Sequence, residues 1–88
     1  VKITIYTTEP CQKCIAVKRW LGDRGIVPDE EVNMVKLSPD VADEVRARLA
    51  QDGYMQAPVI YAEGIPGVSH FQGFDVGELE KIEKAMTT

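Results

Sequence analysis

Cys11 and Cys14 stand three residues apart in Cys11-Gln12-Lys13-Cys14 and are the chain's two cysteines. A pair so close closes no useful loop, so its purpose is chemical before it is structural. It falls between a strand-like and a helix-like run, the context in which Cys-x-x-Cys is a redox site. At a helix start Cys11 faces unpaired backbone N–H groups and the positive end of the dipole, and i,i+3 spacing keeps the two Cα atoms within disulfide reach. This favours the thiolate, the form that attacks disulfides. The helix end contributes about 0.3 to 1 kcal/mol, too little alone to activate a thiol at neutral pH, so Lys13 and the Cys14 thiol are the further sources. Cys11 is expected to be the nucleophile and Cys14, on the inward helix face, the shielded resolving thiol. Cys-x-x-Cys is also half of a tetrahedral zinc site, but His70 is the only further soft ligand where four ligands are wanted. No metal is expected.

Other residues speak more quietly. Ile15 projects almost opposite Val17 and Leu21 on a helix, beside the cysteines and toward solvent, where it is placed to touch a partner; as a single exposed aliphatic residue it needs no such explanation. Pro58, after Gln56-Ala57, reads as a proline opening a strand, and X-Pro bonds are cis only about 5 to 6% of the time. His70 alone reads as structural, and Phe71 and Phe74 read as core.

The elements that must hold these residues alternate. Lys2 to Tyr6 alternates apolar and polar with β-branched residues, a strand entering the turn Thr7 to Pro10. From Gln12 to about Gly22, Cys14, Ala16, Val17, Trp20 and Leu21 gather on one helical face. Glu31 to Leu37 reads as a second strand, parallel to the first across the helix. Ser38 as N-cap and Pro39 open a second helix with Val41, Ala42, Val45 and Leu49 inward and Glu44 paired to Arg48; it ends near Gly53. Pro58 to Ala62 and Val68 to Phe71 form an antiparallel hairpin around Glu63 to Gly67. Asp75 and Glu78 make a capping box for a last helix, with Val76, Leu79, Ile82 and Met86 inward and Glu80 and Lys84 toward water. The order is β-α-β-α-β-β-α, an α/β fold.

Composition narrows the function classes. Eighty-eight residues at 44% hydrophobic suit one compact domain, residues 1–88, with no repeat or linker. A net charge of −4 offers no basic face for a phosphate backbone, so no nucleic-acid partner is expected. No apolar run approaches a membrane span, and the N-terminus lacks a signal-peptide layout, so the cytoplasm is expected. The chain opens at Val1 without Met, as a trimmed start would.

Together these residues resemble the thioredoxin fold, and more narrowly glutaredoxins of the NrdH-redoxin type, over nearly the whole chain. The resemblance is carried by Ile3, Ile5, Tyr6 and Thr7, by Cys11-Gln12-Lys13-Cys14, by Lys18-Arg19, by Gln56-Ala57-Pro58-Val59 and by His70-Phe71-Gln72-Gly73-Phe74. It implies a four-stranded mixed sheet flanked by helices, and a cis Pro58 lying against the cysteines whose neighbours' backbone pairs with an extended substrate. It further implies a dithiol electron carrier reduced by thioredoxin reductase and donating to the large subunit of a class Ib ribonucleotide reductase. NADPH is then used only through the reductase, with no cofactor bound. By the same resemblance Cys11 and Cys14 are catalytic and Lys13 and Pro58 support them, while Gln12, Ile15, Gln56, Ala57, Phe71, Gly73 and Phe74 contact partners. A monomer is expected. Family members usually carry Trp-Ser-Gly-Phe-Arg where this chain has Phe71-Gln72-Gly73-Phe74-Asp75, a charge reversal near the docking surface, and the Glu63 to Ser69 loop is comparatively long. The rival is a glutathione-dependent dithiol glutaredoxin, of whose motifs only Asp75 partly fits; from another class stands a binding module that holds a partner without turnover.

Overall fold

The computed structural model describes residues 2–87; Val1 and Thr88, the ends of the expected domain, lie outside the described residues. Eight elements follow in order: β1 (Lys2–Thr7), α1 (Gln12–Asp23), β2 (Glu30–Asn33), a 3-10 turn (Met34–Lys36), α2 (Pro39–Gln51), β3 (Val59–Ile65), β4 (Val68–Gln72) and α3 (Val76–Thr87). The sheet runs β2-β1-β3-β4, with β1 parallel to β2 and antiparallel to β3, and β3 antiparallel to β4.

Alternation along the strands divides the core between the two faces of the sheet. Ile3 and Ile5 of β1 and Ile60 and Ala62 of β3 point to one face, where they bury Val17 and Leu21 of α1 and Leu79 and Ile82 of α3. Tyr6 and Val59 point to the other, against Met34 and Leu49, with Val45 of α2 packed beside them. So α1 and α3 cover one face and α2 the other, and a fully buried Leu or Ile contributes about 1.5 to 3 kcal/mol to this arrangement.

Several expected boundaries move, each for a local reason. The second strand stops at Asn33 rather than Leu37 because the Asn33 side chain accepts the Val35 N–H at 3.1 Å, turning the backbone into the 3-10 turn. Ser38 stands at the N-cap of α2 but its side chain makes no capping bond. Arg48 bonds the Tyr6 hydroxyl instead of Glu44. Val41, Val76 and Met86, expected inward, are exposed. The Asp75 box is half made: Asp75 Oδ1 accepts the Glu78 N–H at 3.2 Å, while the Glu78 carboxylate turns to Lys81 Nζ at 3.2 Å. The Glu63 to Ser69 stretch is not a long loop. Strand β3 runs on to Ile65, with a register shift between Tyr61 and Ile65, and only Pro66 and Gly67 form the turn.

Candidate functional site

Strand β1 ends at buried Thr7 and delivers the chain through a turn to Cys11. Cys11 is the N-cap of α1: its backbone is extended (φ −152°, ψ 100°), its carbonyl accepts the Ile15 N–H at 3.2 Å, and its Sγ accepts the Cys14 N–H at 3.1 Å. A sulfur thus stands where an Asp or Ser oxygen commonly caps a helix. No acidic residue occupies the first turn of α1, so no side-chain carboxylate there competes for the positive helix end. Cys11 and Cys14 are joined as a disulfide with Cα atoms 5.3 Å apart. Cys14 is 3% exposed on the inward face with Val17 and Leu21, and Cys11 is half-buried.

The second wall of the site is the segment before β3. The Ala57–Pro58 peptide is cis, as is Glu9–Pro10. Pro58 is fully buried, and the Ala57 carbonyl lies 3.9 Å from Cys11 Sγ, where a reduced Cys11 S–H would donate. Gly73, at φ +80°, donates its N–H to the Pro58 carbonyl at 2.8 Å. An L side chain is disfavoured in that left-handed conformation, which explains a glycine in Gln72-Gly73-Phe74. The three distant motifs therefore meet: helix start, cis proline and Gly73 form one continuous patch.

Among the other expected contact residues, Gln12, Lys13 and Gln56 are exposed and Ala57 is half-buried. Ile15 is 52% exposed and Phe74 41%, so both are available at the surface. Phe71 is different. Read as core from its type and as a partner contact from the resemblance, it is 7% exposed and packs in the core with Ile5, Ile60 and Leu79, because its register opposite Ile60 sends it to the inner face, whereas Phe74, also read as core, stands at the surface. His70, considered above as a soft ligand, bonds Tyr54 through Nδ1 at 2.5 Å.

Some of the site was not anticipated. Beside Ala57 opens a cavity of about 310 Å³ lined by Tyr6, Met34, Leu49, Tyr54 and Met55 among others. Met55 is 83% exposed, an apolar side chain in a polar loop three residues before the cis proline, which is the signal that marks it. Behind the cavity the tyrosines are held by polar partners. Arg48 donates to the Tyr6 hydroxyl, and Tyr6 stands edge-on to Tyr61 at 5.8 Å. Tyr61 donates to Asp52 Oδ2 at 2.6 Å. Burial first, then the bond to Asp52, pushes the Tyr61 hydroxyl well above the usual tyrosine range. Tyr54 is raised too, by burial and then by the charges of Asp52 and Glu78.

The glutaredoxin family model matches residues 3–65. The chain is 42% identical over 62 residues to the glutaredoxin-like protein NrdH of Salmonella typhimurium, covering 70% of this chain and 69% of that protein. To the glutaredoxin-like protein NrdH of Lactococcus lactis subsp. lactis it is 30% identical over 80 residues, covering 91% and 97%. Among solved structures, the NrdH-redoxin of Escherichia coli, described as glutaredoxin-like with a thioredoxin-like activity profile, superposes with a TM-score of 0.73 at 30% identity, covering 93% of this chain and 95% of that one. A glutaredoxin of Archaeoglobus fulgidus gives 0.73 at 20% identity, over 99% and 87%, a likeness of fold.

Proposed function

Since this chain belongs to the glutaredoxin family, as an NrdH-like thiol-disulfide oxidoreductase of the thioredoxin fold, we propose that it is a dithiol carrier that takes electrons from thioredoxin reductase and passes them to the large subunit of a class Ib ribonucleotide reductase. The observation that carries the chemistry is the Cys11 sulfur at the start of α1, capping the helix and lying against the Ala57 carbonyl. Similarity to NrdH proteins along most of the chain supports the choice of partners.

In this reading the Cys11 thiolate attacks one sulfur of the client disulfide. A Cys11 to client S–S bond forms, the client S–S bond breaks, and the departing sulfur leaves as a thiolate that takes a proton. Cys14 then loses its proton and attacks Cys11 Sγ. The Cys11–Cys14 bond forms, the mixed disulfide breaks, and the second client sulfur leaves as a thiol. Two electrons have passed from protein to client, and the reductase restores the dithiol at the expense of NADPH. Lys13 and the helix end stabilise the thiolate, Pro58 shapes the wall beside it, and Gln12, Ile15, Gln56, Ala57, Gly73 and Phe74 present the contact surface. Asp75 caps α3 with the oxygen that accepts Glu78 N–H, which favours this reading over one in which Asp75 holds glutathione. The protein works in the reducing cytoplasm as a monomer, without a bound cofactor.

Two parallel assays of disulfide reduction test the reading: NADPH with thioredoxin reductase, and NADPH with glutathione and glutathione reductase. Turnover only in the first is the expected result, and the ribonucleotide reductase of the same source is the next protein to add. Turnover only in the second makes the chain a glutathione-dependent glutaredoxin and Asp75 a ligand contact.

A further inference from the structure

The stretch from Tyr54 to Ala57 joins α2 to β3 and carries the carbonyl that lies against Cys11 Sγ. Strand β4 and the residue after it hold this stretch at two points. At its far end, Gly73 donates to the Pro58 carbonyl at 2.8 Å. At its near end, the Tyr54 hydroxyl is hydrogen-bonded to His70 Nδ1 at 2.5 Å, and the two rings stand edge to face with centroids 5.4 Å apart. His70 is itself located by the Tyr61 ring, 5.4 Å away, and the Tyr61 hydroxyl donates to Asp52. Asp52 and Tyr54 flank Gly53, so the chain leaving α2 is pinned to the sheet on both sides of that glycine. Tyr54, Met55, Gln56 and Ala57 together line one side of the cavity on the α2 face of the sheet, and of these Ala57 is the one whose carbonyl reaches the reacting sulfur. Nothing in the exchange chemistry requires Tyr54 or His70, yet their bond fixes where this wall stands.

We propose that Tyr54, held by His70, is a positioning residue for protein disulfides. It keeps in place the strip Met55 to Ala57, whose last carbonyl lies against Cys11 Sγ. A client polypeptide must lie along that strip to bring its disulfide to Cys11, whereas a small disulfide needs only the sulfur. The inference rests on thiol-disulfide exchange at Cys11 and is independent of which reductase or client serves it.

The test uses the full chain, reduced beforehand and mixed with substrate in single turnover, so that no reductase enters. Two probes are compared: insulin, a protein disulfide, and 2-hydroxyethyl disulfide. In Tyr54→Phe and in His70→Ala the second-order rate constant for insulin is expected to fall about three- to tenfold, the effect of one lost hydrogen bond. The constant for 2-hydroxyethyl disulfide stays within about twofold. His70→Gln, which keeps a hydrogen-bonding group, recovers most of the insulin rate, and the double variant Tyr54→Phe/His70→Ala is no slower than the slower single one. Equal losses with both probes would show general damage to the site and overturn the proposal. So would an unchanged insulin rate in Tyr54→Phe, or single losses that multiply in the double variant. A wild-type protein inert toward both disulfides would instead overturn the exchange chemistry, and the proposal with it.

Discussion

At the scale of single residues, the Cys11 sulfur is the helix cap and, in the proposed exchange, also the group needed as an anion. These roles reinforce one another, because a thiolate accepts the Cys14 N–H more strongly than a thiol does. Cys11→Ser is expected to abolish disulfide reduction, whereas Cys14→Ser is expected to accumulate a mixed disulfide with the client, visible by non-reducing electrophoresis and mass spectrometry. Equal residual activity in both variants would contradict the assignment of nucleophile and resolving thiol. Tyr61 supplies a second test. Its hydroxyl keeps its proton to higher pH in the folded chain than the ordinary tyrosine value of 10.0. The folded state therefore binds that proton more tightly than the unfolded state does. The associated stability is complete below about pH 10 and declines as the pH rises through the folded value. Circular dichroism melts across alkaline pH should show a shallower decline in Tyr61→Phe than in the parent; identical slopes would remove Tyr61 from the account.

At the scale of elements, caps that look alike in sequence differ in use. Asp75 bonds a backbone N–H of α3 while the Ser38 side chain makes no such bond at α2. Asp75→Ala is expected to cost about 0.5 to 2 kcal/mol and Ser38→Ala close to nothing, measured by urea unfolding. The same contrast explains what could be read from the chain alone. The order of strands and helices follows from periods of two and of 3.6, which local sequence displays directly. The start of α1 at the cysteines was equally plain, since a strand, a turn and a helical stripe surround them. What could not be read locally depends on contacts between distant residues. Asn33 ends β2 through its own side chain, a choice a β-branched run conceals. Arg48 reaches Tyr6, forty-two positions away, in preference to its helical neighbour. Phe71 reads as core by residue type and as a partner contact by resemblance, and only its register opposite Ile60 decides for the core. The cis state of Pro58 is found in the structure but has no local signature; only likeness to a family announced it.

At the scale of the whole molecule, one sheet separates two cores, and side chains that share a helix can differ greatly in worth. Leu79 and Ile82 are fully buried on α3, while Val41 on α2 and Val76 on α3 are exposed. Leu79→Ala is expected to cost about 2 to 5 kcal/mol, and each kcal/mol lowers the melting temperature by about 4 to 8 °C in a domain this small. Val41→Ala should change stability by no more than about 0.5 kcal/mol. Calorimetry on the two variants checks whether the stripe of α2 truly begins at Ala42 rather than Val41. Strand β2 has a further consequence for how copies of the chain meet one another. It forms one border of the sheet, only four residues long, with Glu30 exposed and Glu31 bridged to Lys18 at 2.8 Å. A foreign strand adding there would gain few ladder bonds and would have to strip water from a carboxylate and from an ion pair. That border is therefore a poor template for intermolecular pairing, and the early stop imposed by Asn33 doubles as protection against aggregation.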